Sequence, residues 1–150
     1  MNSGARRRIH CLRPLRDLPT VGTAETDRDD PDHAHAAGEC AASISRAMVR
    51  LLRARTGKGP SKARTALSSD LAIVTLGDYL TEAERALAGE GRGEGAIWFR
   101  TALLDGMRAE AVAAVEALTG RQVAAYLTAH EHDPDLAIIA FHFGPRAGTL

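Results

Sequence analysis

Apolar residues along the 150-residue chain change period several times, and each change marks an expected element. Ile44, Met48, Leu51 and Leu52 recur at helical spacing and predict an amphipathic helix beginning near Cys40. Its end is expected at Thr56-Gly57, because glycine suits a left-handed helix terminus and Pro60 follows. KARTAL (62–67), a Ser68-Ser69-Asp70 turn and LAIVTL (71–76) then read as a hairpin. The second of its strands is apolar on both faces, as a central strand is.

Thr81-Glu82-Ala83-Glu84 has the form of a capping box and opens a short helix. Glycines 89, 91, 93 and 95 end it; GEGRGEG is no GxGxxG after a strand, and its two glutamates would repel phosphate. From Ala96 to Leu118 one long helix is expected, presenting Phe99, Leu103, Met107, Ala111, Val115 and Leu118 on one face and capped by Gly120. VAAYLT (123–128) and LAIIAFHF (136–143) follow as strands joined by HEHDPD.

The two halves share an order. Thr56-Gly57-Lys58 and Thr119-Gly120-Arg121 each end a helix, and Asp70-Leu71-Ala72-Ile73-Val74 and Asp135-Leu136-Ala137-Ile138-Ile139 are the matching second strands. The expected fold is therefore α+β: a two-layer sandwich of two αββ units forming one four-stranded, mainly antiparallel sheet with helices on one face. The other face, carrying Lys62, Arg64, Tyr126 and Thr128 in one register, is left for a protein partner or for a second copy of the chain as a homodimer. Residues 37–144 make up this domain; 1–36 lack periodicity and read as a disordered tail, and 145–150 as a frayed end.

Composition narrows the picture. A hydrophobic fraction of 45% with 25% charged residues is that of a soluble globular protein. At 4% aromatic residues the core must be aliphatic, with Trp98, Phe99, Phe141 and Phe143 as its few large members. No apolar run approaches the roughly 18 residues of a membrane helix, the basic start has no signal-type apolar region, and Cys11 and Cys40 make no disulfide framework. A reduced, cytoplasmic setting without membrane insertion is the expectation.

The net charge is +0, and six basic and six acidic residues before Ala37 leave the two regions individually balanced. Charge is nonetheless segregated locally. No acidic residue lies between Glu39 and Asp70, an interval carrying Arg46, Arg50, Arg53, Arg55, Lys58, Lys62 and Arg64. Thr56, Gly57, Lys58, Gly59, Lys62 and Arg64 together make an anion-binding expectation, in which glycine-loop amides and neighbouring cations face a phosphate, carboxylate or bicarbonate. A solvated basic face, or cations complementing a helix C-terminus, is the alternative.

A nucleic-acid-binding module on segment 46–64 is a second alternative, disfavoured by the neutral total charge and the lack of aromatic residues for base stacking there. His33-Ala-His35 and the Arg-rich start read as solvated tail, and His130-Glu131-His132-Asp133 as turn rather than metal site. His142 reads as a packed histidine. No nucleophile has an identifiable partner, so no catalytic residue, metal or cofactor is assigned.

Thr56-Gly57-Lys58-Gly59-Pro60, the strand with Arg64, Leu80-Thr81 with Glu84, Arg100, Leu118-Thr119-Gly120 and the closing apolar strand together resemble the MpsC-like family over residues 40–144. That resemblance implies a soluble bacterial domain associated by name with a sodium-translocating, membrane-potential-generating system and with ion or inorganic-carbon uptake. It carries no established catalytic residues. Since a chain without a membrane span cannot translocate ions alone, the implied role is accessory or regulatory, peripheral to a membrane complex.

Overall fold

The computed structural model describes residues 31–146. In chain order the elements are α1 (Pro31–Thr56), β1 (Lys62–Leu67), β2 (Leu71–Gly77), α2 (Glu82–Gly89), α3 (Gly93–Gly106), α4 (Arg108–Thr119), β3 (Val123–Glu131) and β4 (Leu136–Phe143). The four strands form one fully antiparallel sheet in the order β1-β2-β4-β3. The α+β architecture therefore matches the expectation, with the two Asp-Leu-Ala-Ile strands side by side at its centre.

Strand alternation assigns the two faces. Ala72, Val74 and Leu76 of β2 and Ala137, Ile139, Phe141 and Phe143 of β4 are buried under the helices. Ile44, Met48 and Leu52 of α1, Leu104 of α3, and Ala111 and Val115 of α4 meet them in one aliphatic core. At the start of β3 a bulge between Val123 and Ala125 lets both Val123 and Tyr126 turn toward this core. Tyr126 meets Phe141 edge-on, with ring centroids 5.4 Å apart, and donates its hydroxyl to the Leu104 carbonyl at 2.9 Å. Tyr126 and Thr128 thus belong to the helix-covered face and not to the open one, while Lys62 and Arg64 do lie on the open face.

Three further differences have physical causes. First, α1 starts at Pro31 rather than near Cys40. Proline is preset for the first helical turn, and Ala34, Ala36 and Ala37 favour continuation. Residues 31–36, expected in a disordered tail, are therefore helical; the rest of that expectation, with the Arg-rich start and Cys11, lies outside the described residues, as does the His33 side chain. Second, the long helix is two helices, broken at Gly106-Met107, where Met107 takes φ −95° and ψ 2° and caps both pieces. Third, the buried stripe of α3 is Ala96, Arg100 and Leu104, one position round from the expected one. The stripe turns because the Arg100 guanidinium finds internal partners, and the aromatic residues beside it are pushed out. Trp98 is 74% exposed and Phe99 49%.

Both aromatic assignments can be checked by stability. Phe141→Ala should cost about 3–5 kcal/mol of unfolding free energy, whereas Trp98→Ala should change it by less than about 0.5 kcal/mol. Denaturant titrations of the two variants should separate them clearly; equal losses would contradict the burial described.

Candidate functional site

The Thr-Gly-base segment is a helix terminus that occurs twice with the same bonding. Thr56 Oγ1 lies 2.9 Å from the Leu52 carbonyl, and Thr119 Oγ1 lies 2.7 Å from that of Val115. Gly57 and Gly120 adopt φ of 74° and 66°, and their amides donate to the Arg53 and Glu116 carbonyls, both at 2.9 Å. An L side chain is strained at these angles, which is why glycine stands at both. The next amides, of Lys58 and Arg121, return to the threonine hydroxyls at 3.4 and 3.2 Å.

Each cation then reaches a carbonyl just beyond the central strand of its own half. Lys58 Nζ donates to Leu80 at 3.3 Å, and Arg121 Nη2 donates to Gly144 at 3.2 Å. Arg121 also donates to Ser69 and lies over the Phe143 ring at 4.5 Å. These contacts tie a helix end to a strand end.

Among the six residues of the anion-binding expectation, Thr56, Gly57 and Lys58 make the first of these clamps. Gly59 is packed closely, since a Cβ there would stand 3.2 Å from Val49 Cγ1. Lys62 and Arg64 project instead from the open sheet face. Lys62 Nζ lies 3.3 Å from Asp78 Oδ2, an oxygen that also accepts from Ser61 Oγ at 2.9 Å. The Ser61 hydroxyl and then Lys62 hold the Asp78 carboxyl below its ordinary range. Arg55 likewise meets Glu110 at 2.8 Å. Two cations of the interval that is free of acid in sequence thus meet acid in space.

The polar centre of the molecule lies elsewhere. Arg100 is 1% exposed and Glu84 5%. Arg100 Nη2 donates to Glu84 Oε2 and, at 2.8 Å, to the Tyr79 carbonyl, while its guanidinium lies 4.1 Å from the centroid of the Tyr79 ring. Glu84 Oε2 also accepts from the Thr81 amide at 2.7 Å and the Thr81 hydroxyl at 2.6 Å, completing the expected capping box.

Burial works to raise the Glu84 carboxyl, but hydrogen bonds from Arg100 and Thr81 outweigh it and hold the group below its usual range. Burial pushes the Tyr79 phenol up to about 12, so it stays protonated. Asp135, at the start of β4, accepts from the Leu80 amide at 3.0 Å and meets Arg85 at 3.5 Å, fastening α2 to the sheet. The crevice between Tyr79, Ala96, Arg100 and His130 is too narrow for a water molecule. Glu84 Oε1, Arg100 Nε and Tyr79 Oη are buried without hydrogen-bond partners among the described residues.

His130 lies in β3 with Nε2 3.1 Å from the Ile97 carbonyl, and His132 follows in the turn. Among the described residues no three His, Cys, Asp or Glu side chains are placed to hold a metal ion. His142, expected to be packed, is exposed on the open sheet face because β4 alternates and its odd-numbered residues face the core. Arg100 was visible in sequence as a lone charge at i+4 between Ala96 and Leu104; Tyr79 carried no comparable signal.

The family model described as Na+-translocating membrane potential-generating system (MpsC) matches residues 36–144. The chain belongs to the MpsC family. No curated protein and no solved structure matches it. The residues that carry the MpsC resemblance are largely its internal ties: Lys58 to Leu80, Thr81 and Arg100 to Glu84, and Thr119-Gly120 at the second helix terminus. Arg64 differs from these in having no side-chain partner among the described residues.

Glu84→Gln should destabilise this MpsC domain by about 3–5 kcal/mol at neutral pH, because Arg100 keeps its charge inside without a counter-ion. The sign with pH follows from the depressed carboxyl. Its contribution is full above the unfolded carboxylate value, about 4.3, and is lost as pH falls through the lower folded value. Unfolding titrations across acid pH should therefore show a steeper loss for wild type than for the variant. Parallel acid limbs would contradict the role assigned to this pair.

Proposed function

We propose that this MpsC-family chain is an accessory, non-catalytic docking component of a Na+-translocating, membrane-potential-generating system, held at the membrane by a protein partner. The family assignment provides the system. Among the described residues no helix is long and apolar enough to cross a membrane. A role in ion translocation then requires contact with a component that does cross it.

The observation that carries the docking role is the adjacent pair Trp98 and Phe99, 74% and 49% exposed on α3. In a chain with a single tryptophan and 4% aromatic residues, these are the bulkiest apolar groups on the surface and the residue types that most often anchor protein interfaces. The α3 segment is held rigidly beneath them by buried Arg100, so the two rings are presented with little ordering cost.

The anion-binding loop is not part of this proposal, which rests on α3 instead. Tagged protein purified from its native membranes should bring down a Na+-translocating membrane component. The Trp98→Ala, Phe99→Ala double variant, folded by thermal melt, should recover at least about tenfold less. Failure of the wild-type chain to recover any such component would overturn the reading.

A further inference from the structure

Among the described residues nothing covers the second face of the sheet, and its composition is patterned. The strand register aligns its residues in cross-strand rows. At one end lie Lys62, Gly77, Leu136 and Glu131; next come Arg64, Thr75, Ile138 and Ala129; then Ala66, Ile73, Ala140 and Leu127. Leu127 is 65% exposed and Ile138 36%. Apart from Lys62, Glu131 and Arg64 these three rows are aliphatic or small; a fourth, at the far end, holds Leu71, His142 and Ala125, and the whole side faces water in an isolated chain.

We propose that this face is the interface of a homodimer whose two-fold axis runs parallel to the strands. That operation lays β1 over the partner's β3 and β2 over the partner's β4, keeping each row opposite itself reversed. Lys62 then stands over the partner's Glu131, and Glu131 over the partner's Lys62. Leu136 meets Gly77, Ile138 meets Thr75, Ile73 meets Ala140 and Leu127 meets Ala66. Every large side chain in these three rows faces a smaller one or an opposite charge, which is what interdigitation of two aligned sheets about 10 Å apart requires.

A two-fold axis across the strands would instead stack β1 on β1 and bring Arg64 near its own copy. Charge and volume thus both select the axis along the strands. The pattern is one of self-complementarity, which an unrelated partner would match only by accident.

Lys62 and Glu131 now have exposed neighbours, Asp78 at 3.3 Å and the His132 ring at 3.2 Å. Pairs so open to water contribute little and exchange readily. Within one chain Lys62 and Glu131 are three strand spacings apart, about 14 Å, too far to couple strongly through solvent. A rescue between them therefore reports contact between chains.

Light scattering during size-exclusion chromatography should give the purified chain twice its monomer mass. Leu127→Asp should yield folded monomer. Lys62→Glu and Glu131→Lys should each weaken association at least about tenfold, and the double variant should regain it. A monomeric wild type, or a double variant no tighter than the singles, would overturn the proposal. So would an undisturbed dimer of folded Leu127→Asp; if that variant does not fold, the charge exchange decides. Loss of the dimer would leave docking through Trp98 and Phe99 untouched, since that test reads membrane recovery.

Discussion

Seven residue pairs join β2 to β4, from Leu71 opposite His142 to Gly77 opposite Leu136, and the rest of the structure is arranged about that junction. The two strands are the corresponding elements of the two halves, and Val74 lies opposite Ile139, its own counterpart in the Asp-Leu-Ala-Ile repeat. An approximate two-fold axis therefore passes through the middle of the sheet. Antiparallel pairing of equivalent strands forces β1 and β3 to the edges and sets both helix-bearing junctions on the same face. Because every second residue of β2 and β4 is buried, a slip of one residue would carry the core side chains to the open face. The aliphatic pattern of these strands is what fixes the register.

The halves diverge in what they insert before their hairpins. The first has α1 alone, whereas the second interposes α2, α3 and α4, and α2 has no apolar stripe large enough to fix it. Its attachment is polar, through Glu84 to Arg100 and through Asp135 to the Leu80 amide. An ion pair of this kind is a poor source of net stability, because desolvating both groups offsets most of their attraction. Its effect is on specificity. Burying the guanidinium against Glu84 sets which side of α3 faces inward, and Trp98 and Phe99 lie off that side.

Where local chemistry decides the outcome, the sequence was readable. Gly57, Gly120 and the Thr81–Glu84 capping box end or begin helices as their residue types require, and the alternation of LAIVTL and LAIIAFHF identifies central strands. Partners distant in sequence were not readable. The acid-free interval gives no sign in sequence that Asp78 pairs with Lys62 and Glu110 with Arg55. The stripe of α3 lies one residue round from the apolar pattern, although large aromatics are ordinarily worth more inside than an arginine. Only the Glu84 carboxylate and the Tyr79 carbonyl, from another element, reverse that order. The start of α1 leaves no apolar signal, since nothing in the core depends on its first turns: the described side chains from Pro31 to Glu39 are exposed.

The repeated clamp bears on where function resides. Thr56-Gly57-Lys58 directs its glycine amide, threonine hydroxyl and cation to carbonyls of α1 and of the segment after β2. Thr119-Gly120-Arg121 repeats the glycine and threonine contacts, with its cation on Gly144 just past β4. A feature present in both halves with the same geometry is explained by the fold. Function is better sought where the approximate symmetry fails or where the surface is left apolar without internal need. Two places meet that condition: the outer side of α3, which has no counterpart in the first half, and the sheet face that no described residue covers. They lie on opposite sides of a two-layer molecule, so occupation of one does not obstruct the other.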